Sequence, residues 1–182
     1  MCYTQTYDNV IDISQKEGSL LSEKTYDRIV AYILENQNKL YRLAYYYVNQ
    51  KEPALDIVQN AIVKALENCG SLKNPDAVNT WMYRIVVNEA LTYFRKQKRE
   101  ILCEPADLNE QVYYESAYET GLSLYAEIHR LPQEMQTVIL LHFFEGLTLK
   151  EVSSVTGVNL NTVKSRLYSA LRKLKKIIRE AS

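Results

Sequence analysis

Turn-forming residues are scarce in this 182-residue sequence: glycine occurs five times and proline four. Few tight turns are expected, and the frequent Leu, Ala, Lys, Glu, Ile and Val point to a mostly helical chain. Cysteine is also sparse. Cys2, Cys69 and Cys103 are far apart, form no Cys-x-x-Cys pair and are odd in number, which argues against a disulfide framework and for reduced thiols. The two histidines, His129 and His142, lie too far apart in sequence to suggest a metal motif. No metal and no cofactor are therefore expected. No apolar run approaches the roughly 20 residues a membrane span needs. The N-terminus carries Asp8 and Asp12 where a secretion signal would carry cations. A cytoplasmic chain without membrane insertion follows. The sequence also lacks a phosphate-cradling glycine loop, a zinc ligand set and a nucleophile motif, so no enzyme is expected.

Net charge is zero, which taken over the whole chain predicts no nucleic-acid partner. Its distribution predicts one. Arg84, Arg95, Lys96, Lys98 and Arg99 stand against the single acid Glu89 in residues 84–99. Lys164, Arg166, Arg172, Lys173, Lys175, Lys176 and Arg179 stand against none in 164–179. Between these blocks, residues 100–120 hold only acids: Glu100, Glu104, Asp107, Glu110, Glu115 and Glu119.

Hydrophobic periodicity divides the chain in the same places. Residues 1–23 are polar, weakly periodic and read as a loose segment. Residues 24–99 read as a helical domain, 100–120 as an acidic linker and 121–182 as a second helical domain ending in a helix-turn-helix. The fold class is all-α, two small helical domains joined by that linker. In the first domain Ile29, Ile33, Leu40, Leu43, Ala44 and Tyr47 form a stripe, with a break expected near Asn36–Asn38. Leu55, Val58, Ile62, Ala65 and Leu66 form a second stripe, and a long helix follows from about residue 78 or 80 to 98.

The most specific pattern lies in 131–176. Pro132 opens a helix with Met135, Val138 and Ile139 on its apolar side and an end near Glu145-Gly146. Thr148 with Glu151 fits a capping box, Val152 and Val155 give a short helix its apolar side, and Gly157 supplies the turn into another helix near Asn159–Asn161. At about 100° per residue, Val163, Leu167, Ala170 and Leu174 face the core. Asn161, Ser165, Tyr168, Ser169 and Arg172 face outward, with Thr162, Arg166 and Lys173 on one flank and Lys164 on the other. Such a face suits base edges in a major groove, with its flanks on phosphates. A merely solvated basic face is the plainer alternative, and the coincidence of cap, turn and polar face weighs against it. In the first domain, Arg84, Asn88, Thr92, Arg95 and Arg99 share one face of the long helix, opposite Met82, Val86, Ala90 and Tyr93. Taken alone, this stripe is equally a solvated face or a contact to phosphate or an unpaired base, and Trp81 reads as a packing residue.

Two strings resemble a known family. Leu131-Pro132, Val138 to Leu141, Gly146 to Val152 and Asn161-Thr162-Val163-Lys164-Ser165-Arg166-Leu167 are similar to the C-terminal domain of extracytoplasmic-function sigma factors of RNA polymerase. Asp56 to Leu66, Trp81 to Asn88 and Tyr93 to Lys96 are similar to the first domain of the same family. The likeness covers nearly all of residues 25–176.

The resemblance implies a sigma factor that binds core RNA polymerase and directs promoter recognition, DNA opening and transcription initiation. Its implied −35 contacts are Asn161, Thr162, Lys164, Ser165, Arg166, Tyr168, Ser169 and Arg172. Its implied −10 contacts are Arg84, Asn88, Thr92, Arg95, Lys96 and Arg99. Asp56, Val58, Gln59, Asn60 and Val63 would meet the clamp helices of the largest polymerase subunit, and the C-terminal domain would touch the flap. Asn60 stands where the family carries an acid, Ser169 where many members carry a base, and the loop at 70–80 matches no family string. An anti-sigma factor is a further implied partner. The competing expectations are a free-standing helix-turn-helix regulator that never joins polymerase and an adaptor that binds polymerase without reading DNA.

Overall fold

A computed structural model describes the backbone of residues 4–103 and 122–181, and the side chains of 24–97, 124–177 and 179. Every regular element among them is helical. Helix α1 spans Thr4–Val48. It starts well before residue 24, running through most of the segment read above as loose. No proline precedes Pro53, so nothing in this stretch forbids the backbone ladder. Nor is there a break at Asn36, whose side-chain amide folds back onto the Tyr32 carbonyl (2.9 Å) and leaves the helix intact. Asn49 ends α1 with φ 51°, a left-handed conformation that asparagine tolerates better than most residues.

Helix α2 spans Lys51–Glu67. Its buried line is Ala54, Ile57, Val58, Ala61 and Ala65, which rotates the expected stripe: Leu55 is 41% exposed instead of buried. Small alanines let α2 approach its neighbours closely, and the larger Leu55 is left outside. Two short 3-10 turns, Cys69–Ser71 and Pro75–Ala77, lead into α3 (Val78–Cys103). Arg28 of α1 ties down this connection through the Pro75 carbonyl (3.0 Å) and the Asp76 carboxylate (3.1 Å). Helix α3 extends past residue 98 to Cys103, and the linker residues 104–121 lie outside the described residues.

The C-terminal unit comprises α4 (Leu122–His129), α5 (Gln133–Ile139), a π-helical turn at Leu140–Phe144, α6 (Leu149–Thr156) and α7 (Leu160–Ala181). Buried residues of both units form one continuous apolar cluster. The Tyr47 hydroxyl, fully buried, donates to Thr137 Oγ1 (2.9 Å) from one unit to the other, and Tyr46 packs on Phe144 with ring centroids 5.0 Å apart. Burial pushes the Tyr47 phenol far up, so it stays a protonated donor.

Candidate nucleic-acid interface

The helix-turn-helix is α6 and α7. The Thr148 hydroxyl accepts from the Glu151 amide (3.3 Å), and Glu151 Oε2 accepts from both the Thr148 amide (2.8 Å) and its hydroxyl (2.7 Å). The reciprocal capping box is therefore present. These hydrogen bonds, led by the one from the Thr148 side chain, hold the Glu151 carboxyl below its ordinary range. Gly157 closes α6 with φ 71°. That left-handed conformation is what calls for glycine, and a β-carbon there would stand 3.1 Å from Arg84 Nη2, the movable tip of an exposed side chain.

Asn159 then starts α7: its Oδ1 accepts from the Thr162 amide (2.8 Å) and hydroxyl (3.0 Å). The wheel reading identified neither this cap nor its use of Thr162. On α7, Val163, Leu167, Ala170 and Leu174 are all buried. Asn161, Lys164, Ser165, Tyr168 and Arg172 are exposed, Tyr168 to 63%, and Ser169 is half-buried at the edge. The N-terminal half of this face opens onto a shallow cleft bounded by Asn159, Asn161, Thr162, Ser165 and Arg166. Arg166 is already engaged, its guanidinium paired with Glu134 of α5. It braces α7 against α5 as well as lying beside the cleft.

On α3, Arg84, Asn88, Arg95 and Lys96 are exposed. Thr92 is half-buried, and its hydroxyl donates to the Asn88 carbonyl (2.7 Å) within the helix. The Arg99 side chain falls outside the described residues. Met82, Val86 and Ala90 are fully buried beneath this stripe, and Trp81 is half-buried against the same core. On α2, Asp56, Gln59 and Asn60 are exposed, and Val63 is 52% exposed. Val58 is 8% exposed and belongs to the core instead. The apolar stripe places Val58 in the core, and it is the polymerase contact implied by the resemblance that its burial argues against. Leu55 joins the exposed side, a pairing of bare apolar and polar groups suited to a protein partner.

Both histidines are packing residues. Gln136 Nε2 donates to His129 Nδ1 (3.0 Å), and burial lowers the His129 pKa. His142 Nδ1 meets the Leu147 carbonyl oxygen at 2.7 Å, so that nitrogen carries the proton. Among the described residues, no group of three or more His, Cys, Asp or Glu is placed to hold a metal ion, and no helix is long and apolar enough to cross a membrane.

A helix-turn-helix whose second helix carries seven cations and no acid from 164 to 179, joined to a second helical unit with its own cationic stripe, defines a DNA-directed protein of two helical modules. Residues 32–100 match the Sigma-70 region 2 family and residues 121–174 the Sigma-70 region 4 family. RNA polymerase sigma factor SigV of Bacillus subtilis is 37% identical over 79% of this chain and 87% of its own length. The ECF RNA polymerase sigma-E factor of Haemophilus influenzae is 30% identical over 74% and 78%. The chain belongs to the sigma-70 family of RNA polymerase sigma factors, in its extracytoplasmic-function branch. Its fold is shared with the sigma factor RpoE solved in complex with the anti-sigma factor NepR from Bartonella quintana. That match has TM-score 0.67, 19% identity, and coverage of 82% of this chain and 95% of that one. The fold is likewise that of CnrH solved with the cytosolic domain of CnrY, at TM-score 0.65, 19% identity and coverage of 90% and 97%.

Proposed function

We propose that this sigma factor, acting in the cytoplasm without catalysis of its own, uses α7 to read the −35 element and the exposed stripe of α3 to engage the −10 element. The observation that carries this reading is the surface of α7: Asn161, Ser165, Tyr168 and Arg172 outward, four apolar residues inward, and no acid from 164 to 179. Hydrogen-bonding side chains on a helix that protrudes from its domain match base edges in a major groove. Flanking cations match phosphates, fixing register without reading sequence.

Asp56, Gln59, Asn60 and Val63, with Leu55, form the surface for the polymerase clamp helices. An apolar groove lined by Leu124, Ile139, Phe143, Leu171 and Leu174, with Lys175 at its rim, suits the polymerase flap. An anti-sigma factor would regulate the chain by covering these surfaces. Alone, the two small basic patches bind DNA weakly. Held together on polymerase, the second contact becomes effectively intramolecular. Strand opening then rests on trapping unpaired bases at the −10 element, where unstacking costs a few kcal/mol per step.

Run-off transcription with purified chain, matching core polymerase and a genomic fragment library tests the proposal. Discrete start sites that require the chain are expected, and their upstream sequences would give both promoter elements. Binding to polymerase without start sites would favour an adaptor. No binding to polymerase would favour a free-standing regulator.

A further inference from the structure

The cations of α7 are not alike. Counted from Asn161 at about 100° per residue, Arg172 lies roughly 20° round the helix, Lys164 roughly 60° the other way and Arg166 roughly 140° round. Lys164 and Arg172 are exposed, whereas the Arg166 side chain is 22% exposed and stands nearer the buried line of Val163 and Ala170 than the reading face. Its guanidinium turns towards α5, where Nη2 meets Glu134 Oε2 at 2.5 Å. Glu134 sits in the first turn of α5. Thr162, on the same flank of α7, is engaged as well. Its amide (2.8 Å) and its hydroxyl (3.0 Å) both donate to Asn159 Oδ1, so its hydroxyl hydrogen is already used.

Thr162 and Arg166 border the shallow cleft at the start of α7, and a phosphate seated there is the competing expectation. The carboxylate of Glu134 opposes it. A phosphate that took the guanidinium, or shared it, would stand close to an acid that is 68% exposed, and repulsion between the two anions offsets the gain. The pair does something else well. At its start α7 is fixed by the Asn159 cap and by the turn, where the Ser153 hydroxyl donates to the Val158 carbonyl (2.5 Å). Those holds set where the helix begins, and all of them lie at one end. The ion pair to α5 lies more than a turn further on and grips α7 from a different element, which fixes its rotation. At a side-chain radius of about 5–6 Å, a roll of about 20° carries a base-reading group roughly 2 Å out of place. A hydrogen bond does not survive that displacement.

We propose that Glu134 and Arg166 are a positioning pair: together they set the rotation of α7 so that Asn161, Ser165, Tyr168 and Arg172 meet base edges, and Arg166 makes no phosphate contact. The inference rests on the reading of α7 given above. It leaves the phosphates to Lys164 and the other exposed cations, and it makes an acid of α5 necessary for reading DNA that it does not touch.

Polymerase holoenzyme carrying Arg166→Gln, Glu134→Gln or the exchanged pair E134R/R166E tests it. Binding is measured over a range of salt on a promoter recovered by run-off transcription and on the same fragment with a scrambled −35 sequence. R166Q and E134Q should each lower the preference for the intact −35 sequence by about fivefold or more. The dependence of log affinity on log salt should keep the wild-type slope in both, and the exchanged pair should recover most of the preference. A phosphate contact has the opposite signature: R166Q weakens both fragments equally and reduces the slope by about 0.9, and E134Q binds both more tightly. That result would overturn the pair, as would an exchanged pair no better than R166Q in a chain of unchanged far-UV dichroism. If R166Q loses helicity, E134Q decides, and an unchanged preference there overturns the proposal equally. A wild-type holoenzyme that does not distinguish the two fragments would strike the reading of α7 itself, and the pair's role with it.

Discussion

Helices α3 and α7 are both long, both basic toward one end and both amphipathic, but they are packed differently. α7 buries one side only, and its other side projects into solvent along Asn161, Ser165, Tyr168 and Arg172. α3 is covered from two directions. Met82, Val86 and Ala90 face the N-terminal core, while Tyr83, 3% exposed, turns towards Glu145 of the other unit. A surface helix with a single buried stripe displays its function on the opposite side. A helix shared between two domains has its faces divided among neighbours, so its exposed stripe is only what those neighbours leave open.

The largest expected effect tests whether that sharing makes one cooperative unit. Leu141 in the C-terminal unit is fully buried, and Leu141→Ala should cost about 2–5 kcal/mol. Trp81, the single tryptophan, sits on α3. Its fluorescence in urea should shift along with the far-UV signal. A Trp81 transition that stays in place would mean that the two units unfold independently.

Next, Tyr168→Ala and Arg172→Ala should each weaken transcription from −35-dependent promoters by about 1–3 kcal/mol if they contact bases. Thermal stability should stay near wild type because both side chains are exposed. Equal loss on promoters with scrambled −35 sequences would demote them to non-specific contacts. Thr148→Ala should remove about 1 kcal/mol through loss of the cap that begins the helix-turn-helix. Unfolding of the chain would register it, and no change would mean that tertiary packing alone sets the start of α6.

The smallest expected effect is that of pH. Burial lowers the His129 pKa below its ordinary 6.5. As pH falls through 6.5, the unfolded chain takes up this proton before the folded chain does. Its contribution to stability is therefore full above that value and declines on acidification towards the lowered folded value. His129→Gln should flatten this part of a stability–pH curve, and a slope equal to wild type would assign the effect elsewhere.

Much of the interface was legible along the chain. The capping box, the turn glycine, the buried quartet Val163, Leu167, Ala170 and Leu174, and the outward face of α7 all follow from local chemistry and a 3.6-residue period. The phase of α2 was not. The stripe places Val58 correctly in the core but also puts Leu55 there, and Leu55 is exposed because the alanines at 54, 61 and 65 line the buried side. Hydrophobic size is a poor guide where backbones approach closely. Arg166 shows the same limit: its charge fits phosphate, and its pairing with Glu134 emerges only when α5 crosses α7.

The sequence by itself determined that the chain is helical, that its charge is sorted into separate blocks, and that its C-terminal part ends in a helix-turn-helix with a readable polar face. Each of these depends on interactions within a few residues. Only the tertiary structure decided that Glu145, fifteen residues before α7 begins, points into the N-terminal unit between Tyr83 and Arg42. The groups that meet it come from 62 and 103 positions away. No local pattern encodes a contact across such separations; it exists because two apolar surfaces merge into one core and carry a carboxylate in with them.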